Sequence, residues 1–213
     1  MDSVNQYLLT SIPQQEKWIL TLEEFAQTHR VPIMEPISMN FLTQLVRIKK
    51  PKSILEIGTA IGYSALRMHQ AYPLTKITTI EKNHEMYEYA SKHIFEQQKS
   101  EHIQLILGDA LEAINDLGSQ GKMFDFIFID AAKGQYKNFF ELVQPLLRDE
   151  GIIVCDNVLF KGYVANENKA DNIRLKKMAN KIRSFNEWLL NQKDYHTSII
   201  PIGDGISIST KII

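Results

Sequence analysis

The chain has one cysteine, Cys155, so no internal disulfide can form. That fits a reducing compartment, and a cytoplasmic location is expected. There is no run of about 18 consecutive apolar residues, the length a membrane-spanning helix needs. The opening stretch, MDSVNQYLLTSIPQQEKW, has no basic segment followed by an apolar one, so no signal peptide is expected. Neither charge is in excess: 24 Lys and Arg stand against 25 Asp and Glu. Nucleic-acid binding would therefore have to rest on a local patch rather than on overall attraction. The six histidines are scattered and no second thiol exists, which counts against zinc. The dinucleotide fingerprint G-x-G-x-x-G is also missing, which counts against a nicotinamide oxidoreductase.

What remains is an ordinary globular composition, 44% apolar and 23% charged over 213 residues, with no repeat or low-complexity linker. One domain is expected, in three parts: helices over 1–50, a core over 51–160, and a helix with a hairpin over 161–213. Residues 1 to 48 read as helical, with Trp18, Leu22 and Phe25 on one face. RVPIMEP interrupts, and Ser38 is placed to cap a second helix through MNFLTQLVRI. After Pro51 strands and helices alternate. SILEIG, KITTIE, IQLIL, FDFIFID and GIIVCD read as strands, with helical segments between them. Such alternation, with strands apolar throughout, predicts an α/β fold with a parallel sheet and helices on both faces. A helix is expected over 171–191. The ending TSIIPIGDGISISTKI then reads as a hairpin that makes one sheet edge antiparallel.

In such sheets ligands lie beyond the carboxyl ends of the strands. The first strand runs into EIGTAIGYS, carrying Glu56, Gly58, Gly62 and Ser64; glycines there allow a tight turn and close approach of a ligand. The second strand ends in Glu81, 23 residues past Gly58, either an acceptor for ribose hydroxyls or a cap for the next helix. The third ends in Gly108-Asp109-Ala110, where Asp109 either faces an adenine or caps a helix. Together these strand ends resemble those of S-adenosylmethionine-dependent methyltransferases. The fourth and fifth strands end in Asp130 and in Asp156-Asn157. Neighbouring strands would bring these three oxygen donors together, a hard set suited to Mg²⁺ or Ca²⁺. Lys133 follows in DAAKG. Beside a divalent cation, like-charge repulsion would ease its proton loss and let it accept a proton from a substrate hydroxyl; otherwise it is a solvated loop lysine. Cys155 reads as a small buried hydrophobe rather than a nucleophile.

The motifs ILEIGTAIGYSAL, TIEKN, GDALE, FIFIDAAKGQY and VCDNVLFKG, spanning residues 54 to 162, resemble the cation-dependent O-methyltransferases of catechol and caffeoyl-coenzyme A. VPIME, DAAKGQYKNFF, DNVLFKG and IIPIGDGISIS carry a closer likeness to bacterial tRNA 5-hydroxyuridine methyltransferases. The resemblance implies a Rossmann-like methyltransferase domain with a mostly parallel seven-stranded sheet. It implies S-adenosylmethionine at Met34, the Gly58 turn, Ser64, Glu81, Asp109-Ala110 and Asp130. Mg²⁺ would sit at Asp130, Asp156 and Asn157, with Lys133 as base, and the protein would be a homodimer. The implied reaction converts 5-hydroxyuridine to 5-methoxyuridine at wobble position 34 of tRNA. The C5 hydroxyl and C4 carbonyl of that base would chelate a cation as a catechol does. A wobble base lies in a single-stranded loop, open to capture. Residues 169–183 hold Lys169, Arg174, Lys176, Lys177, Lys181 and Arg183 against the single acid Asp171. Arg174, Lys177 and Lys181, with Lys137 and Lys161, either track phosphates or form a solvated face. The alternatives are the same chemistry on small catechol-like or caffeoyl-coenzyme A-like phenols, and a non-catalytic relative binding nucleotide or RNA. The retained Asp130, Lys133, Asp156 and Asn157 argue against the last.

Overall fold

The computed structural model describes residues 3–166 and 171–212. Three helices come first: α1 (Ser3–Ser11), α2 (Lys17–His29) and α3 (Pro36–Lys49). Ser38 is not the cap expected of it. Glu35 holds the N-cap position and Pro36 fills the first turn, where a missing N–H leaves nothing unsatisfied. Ser38 lies two positions further in and is buried.

The alternation follows: β1 (Ser53–Ile57), α4 (Tyr63–Ala71), β2 (Lys76–Glu81), α5 (His84–Glu96), β3 (Ile103–Leu107), α6 (Ala110–Ser119), β4 (Phe124–Ile129), α7 (Tyr136–Val143) and β5 (Leu147–Cys155). After α8 (Ile173–Leu190) the chain ends in β6 (Tyr195–Ile200) and β7 (Ile206–Lys211). All seven strands form one sheet, in the order β3-β2-β1-β4-β5-β7-β6. The pairs from β3 to β5 are parallel, and β7 runs antiparallel to both β5 and β6. The expected architecture is the observed one.

Two boundaries around β5 have local causes. α7 ends at Val143 because Pro145 cannot continue an α-helix, and a 3₁₀ turn covers Gln144–Leu146. β5 begins at Leu147, ahead of the expected Gly151. An Arg148–Asp125 ion pair at 3.4 Å and a 2.6 Å bond from Lys211 Nζ to the Leu147 carbonyl tie this extension to its neighbours.

Alternate strand residues feed two apolar layers. Leu55, Ile57, Ile127, Ile129 and Ile153 pack under Ile114, Phe140, Phe185 and Leu189 of α6, α7 and α8. Ile54, Ile77, Phe126, Phe128 and Val154 pack under Leu22, Leu42, Leu66 and Ile94 of α2 to α5. Each such side chain contributes roughly 1.5–3 kcal/mol on burial, so the central strands are rigid supports for whatever their ends carry. No helix among the described residues is long and apolar enough to cross a membrane.

Candidate active site

The strand order reverses between β1 and β4, and a cleft of about 670 Å³ opens there, beyond the carboxyl ends of the strands. The register that sets its floor is regular. The Gly58 amide donates to the Ile80 carbonyl (3.1 Å), Gly108 to Glu81 (2.9 Å), Asp130 to Ile57 (2.9 Å) and Asp156 to Ile129 (3.1 Å). Each post-strand residue is thus anchored to the end of the neighbouring strand. Gly58, Gly108, Asp130 and Asp156 all line the cleft.

In one half, Gly58 holds φ +96°, and a Cβ added there would sit 2.0 Å from the Asp130 carbonyl oxygen. Only glycine fits. Ala60 holds φ +47°. Its amide donates to Glu81 Oε2 at 2.8 Å, while the Asn83 amide donates to Glu81 Oε1 at 2.8 Å. Glu81 therefore braces the first turn against the second. Met34, Ser64 and Gly108-Asp109-Ala110 also line this cleft. Asp109 does cap α6, accepting from the Leu111 amide at 2.9 Å.

Glu56 and Gly62, expected beside them, do not line the cleft. Glu56 points into the interior from β1 and is fully buried. Thr79 Oγ1 donates to its Oε2 at 2.5 Å, and Thr79 bonds in turn to Thr59 Oγ1 at 2.6 Å. Burial pushes the Glu56 carboxyl up to about 8, against the lowering bonds from Ser64 and Thr79. Gly62, at φ +83°, packs against Ala90 of α5. Both residues support the turn from behind.

The other half is acidic. Burial raises Asp130, opposed by the positive charge of Lys133. Burial also raises Asp156, and the neighbouring charge of Asp130 adds to that. Asp156 Oδ2 accepts from Asn157 Nδ2 at 3.0 Å. Its Oδ1 is buried without a hydrogen-bond partner among the described residues. Lys133 Nζ donates to Asn157 Oδ1. An amide oxygen has two lone pairs, so that bond leaves one site free. One buried and one half-buried carboxylate, an orphaned carboxylate oxygen and a half-used amide oxygen suit a hard dication. Among the described residues no three His, Cys, Asp or Glu side chains form a metal cage, so any cation would depend on Asn157 and on waters or acceptor oxygens. Cys155, just behind, is an inert core residue whose thiol burial pushes up to about 12.

A family model described as O-methyltransferase matches residues 10–212. The chain belongs to the O-methyltransferase family. A caffeoyl-CoA O-methyltransferase of Eucalyptus gunnii is 32% identical over 222 residues, covering 99% of this chain and 88% of its own. A flavonoid 3',5'-methyltransferase of Vitis vinifera is 28% identical, with 99% and 94% covered. Among solved structures, a candidate caffeoyl-CoA O-methyltransferase from Staphylococcus aureus is 37% identical, with TM-score 0.92 over 99% of this chain and 100% of its own. The fold is also that of a Bacillus cereus O-methyltransferase solved with SAH, at TM-score 0.85, 24% identity, and 99% and 97% covered.

The expected basic residues of this O-methyltransferase divide. Lys161 lines the cleft. Lys181 Nζ reaches within 3.8 Å of the Cβ position on Gly134, beside the Lys133 loop. Arg174 and Lys177 are exposed on α8 and do not line the cleft. Lys137 is held on the flank of α7, 3.7 Å from Glu141 and 5.3 Å from the centre of the Trp188 ring. Lys169 lies outside the described residues. The sequence reading missed Tyr63, whose hydroxyl donates to Glu23 Oε1 at 2.6 Å, and Glu35, Phe160 and Asp204, all of which line the cleft. No strand-end pattern marks them. Only the GDG turn signal pointed near Asp204.

Proposed function

We propose that this O-methyltransferase moves a methyl group from S-adenosylmethionine to one of two adjacent oxygens on a planar acceptor, with a divalent cation such as Mg²⁺ bound by Asp130, Asp156 and Asn157. The observation that carries this reading is the orphaned, buried Asp156 Oδ1 beside half-buried Asp130, in the same cleft as the Gly58 turn. When bound, the cation would supply Lewis-acid polarisation and the donor an activated methyl group. The chain's own residues do the rest. Gly58 lets a ligand lie against backbone. Glu81, already fixed by two amides, offers carboxylate lone pairs to ribose hydroxyls. Lys133 Nζ, against Asn157, is placed to take the acceptor hydroxyl proton once it has lost its own.

A catechol-like phenol presents the required oxygen pair, and relatives named for caffeoyl-CoA and flavonoids support that acceptor. A second reading, 5-hydroxyuridine at wobble position 34 of tRNA, is supported by one observation: Lys161 in the cleft and Lys181 beside the Lys133 loop offer cations where an RNA backbone would pass. A homodimer belongs to the same reading, with apolar Tyr7, Leu74 and Phe95 exposed, and sedimentation tests it. Purified protein given labelled S-adenosylmethionine and Mg²⁺ should methylate caffeoyl-CoA or simple catechols. Nucleoside mass spectrometry of tRNA from cells lacking the protein tests the second reading. Accumulated 5-hydroxyuridine would establish tRNA as the acceptor, and an unchanged nucleoside profile would remove it.

A further inference from the structure

The turn between β6 and β7 enters the acidic half of the cleft through Asp204. It is packed on both sides. A Cβ on Gly203, at φ +55°, would lie 2.0 Å from Ser38 Oγ; one on Gly205, at φ +87°, would lie 2.4 Å from Leu159 Cγ. Between these glycines, Asp204 collects three consecutive amides from the segment after β5. Its carbonyl accepts from Leu159 (2.8 Å) and Phe160 (3.1 Å), and its Oδ1 accepts from the Lys161 amide (3.2 Å). The segment so held is strained. Asn157, Phe160 and Lys161 all have positive φ, at 57°, 46° and 56°. Such conformations persist only when surrounding contacts fix them. Phe160, Lys161 and the cation-ligand candidate Asn157 all line the cleft.

We propose that Asp204 is a positioning residue: its carboxylate holds the Phe160–Lys161 turn in its left-handed form and so shapes the acceptor side of the cleft. This rests on reading the acidic half as the acceptor side. The clamp has a second fastening on α8, where Asn186 Nδ2 donates to the Val158 carbonyl (2.8 Å) and Arg183 Nη2 to the Val164 carbonyl (2.7 Å). Those bonds fix the ends of the segment. At its strained middle, Asp204 adds a side-chain bond to the turn's own bonds from the Gly162 amide to the Leu159 carbonyl and from the Tyr163 amide to the Phe160 carbonyl, both 3.0 Å. The role needs an acceptor atom rather than a charge, so Asp204→Asn should preserve it and Asp204→Ala should not.

Amide hydrogen exchange on the intact protein tests this without reference to substrate. In Asp204→Ala the Lys161 amide should exchange about tenfold faster, the loss of one hydrogen bond. In Asp204→Asn it should remain near wild type. With a catechol acceptor and Mg²⁺, Asp204→Ala should raise acceptor KM about tenfold while leaving S-adenosylmethionine affinity unchanged, and Asp204→Asn should restore KM. Unchanged Lys161 exchange in Asp204→Ala would overturn the proposal. Equal KM effects from Ala and Asn would overturn it too, by making the charge the active feature. Should Asp204→Ala fail to fold, Asp204→Leu, close to Asn in size but with no acceptor atom, serves in its place with the same two readings. If the wild type methylates no catechol, the acceptor reading fails while the exchange arm still decides the clamp.

Discussion

Replacing Glu56 by Gln should remove much of the loss of stability that accompanies rising pH. Glu56 is fully buried in β1, and burial raises its carboxyl from 4.5 to about 8. Between those values the folded protein keeps a proton that the unfolded chain has released. Stability from this group is therefore complete below pH 4.5 and is lost as pH rises towards about 8. At 1.36 kcal/mol for each tenfold change in proton activity, the loss totals roughly 5 kcal/mol. Asp130 and Asp156 are raised by burial as well and largely cancel in the difference; what does not cancel is the repulsion between Asp130 and Glu56, a lesser cause of the Glu56 shift that Gln removes. Gln cannot ionise, and its amide oxygen can still accept from Thr79 Oγ1. Urea denaturation of wild type and Glu56→Gln at about pH 5 and about pH 8 should show the variant gaining several kcal/mol relative to wild type at the higher pH. Parallel pH profiles would refute the reasoning, because they would mean that Glu56 is already ionised in the fold.

Gly58→Ala should destabilise the protein and displace Asp130. The new Cβ meets a carbonyl oxygen at 2.0 Å, and the φ of +96° alone costs about 1–3 kcal/mol; a wild-type melting curve would contradict this. Glu81→Ala should weaken S-adenosylmethionine binding by about 1–3 kcal/mol, with calorimetry as the check; wild-type affinity would remove Glu81 from the donor site. Reversing the charges of Lys177 and Lys181 should reduce turnover on tRNA and spare small catechols, and equal losses on both would count against RNA contact.

The sheet was readable in the sequence because its strands are apolar on both faces and its helices are apolar on one, so the two periods separate cleanly. Asp130, Asp156 and Asn157 were readable for the same reason: polar residues ending apolar runs stand out. Glu56 misled because adjacency to the glycine turn does not say which face a strand residue points to. It alternates with Ile57 and turns inward, where Thr79 meets it. Ser38 misled because Pro36 is an equally good helix start. Glu35, Tyr63, Phe160 and Asp204 reach the cleft from elements far apart in the chain. Their arrival depends on tertiary packing, such as the Gly203 turn against α3, which no local pattern encodes.

The central claim is that methyl transfer needs a divalent cation at Asp130, Asp156 and Asn157. Its most direct test is turnover of a catechol acceptor by wild type and Asp156→Ala, after chelation and again after Mg²⁺ is restored, with S-adenosylmethionine affinity measured alongside. The account predicts that chelation abolishes wild-type turnover and Mg²⁺ restores it. Asp156→Ala should stay inactive in Mg²⁺ while binding the donor normally. Wild-type turnover unaffected by chelation, or full activity in Asp156→Ala, would contradict it.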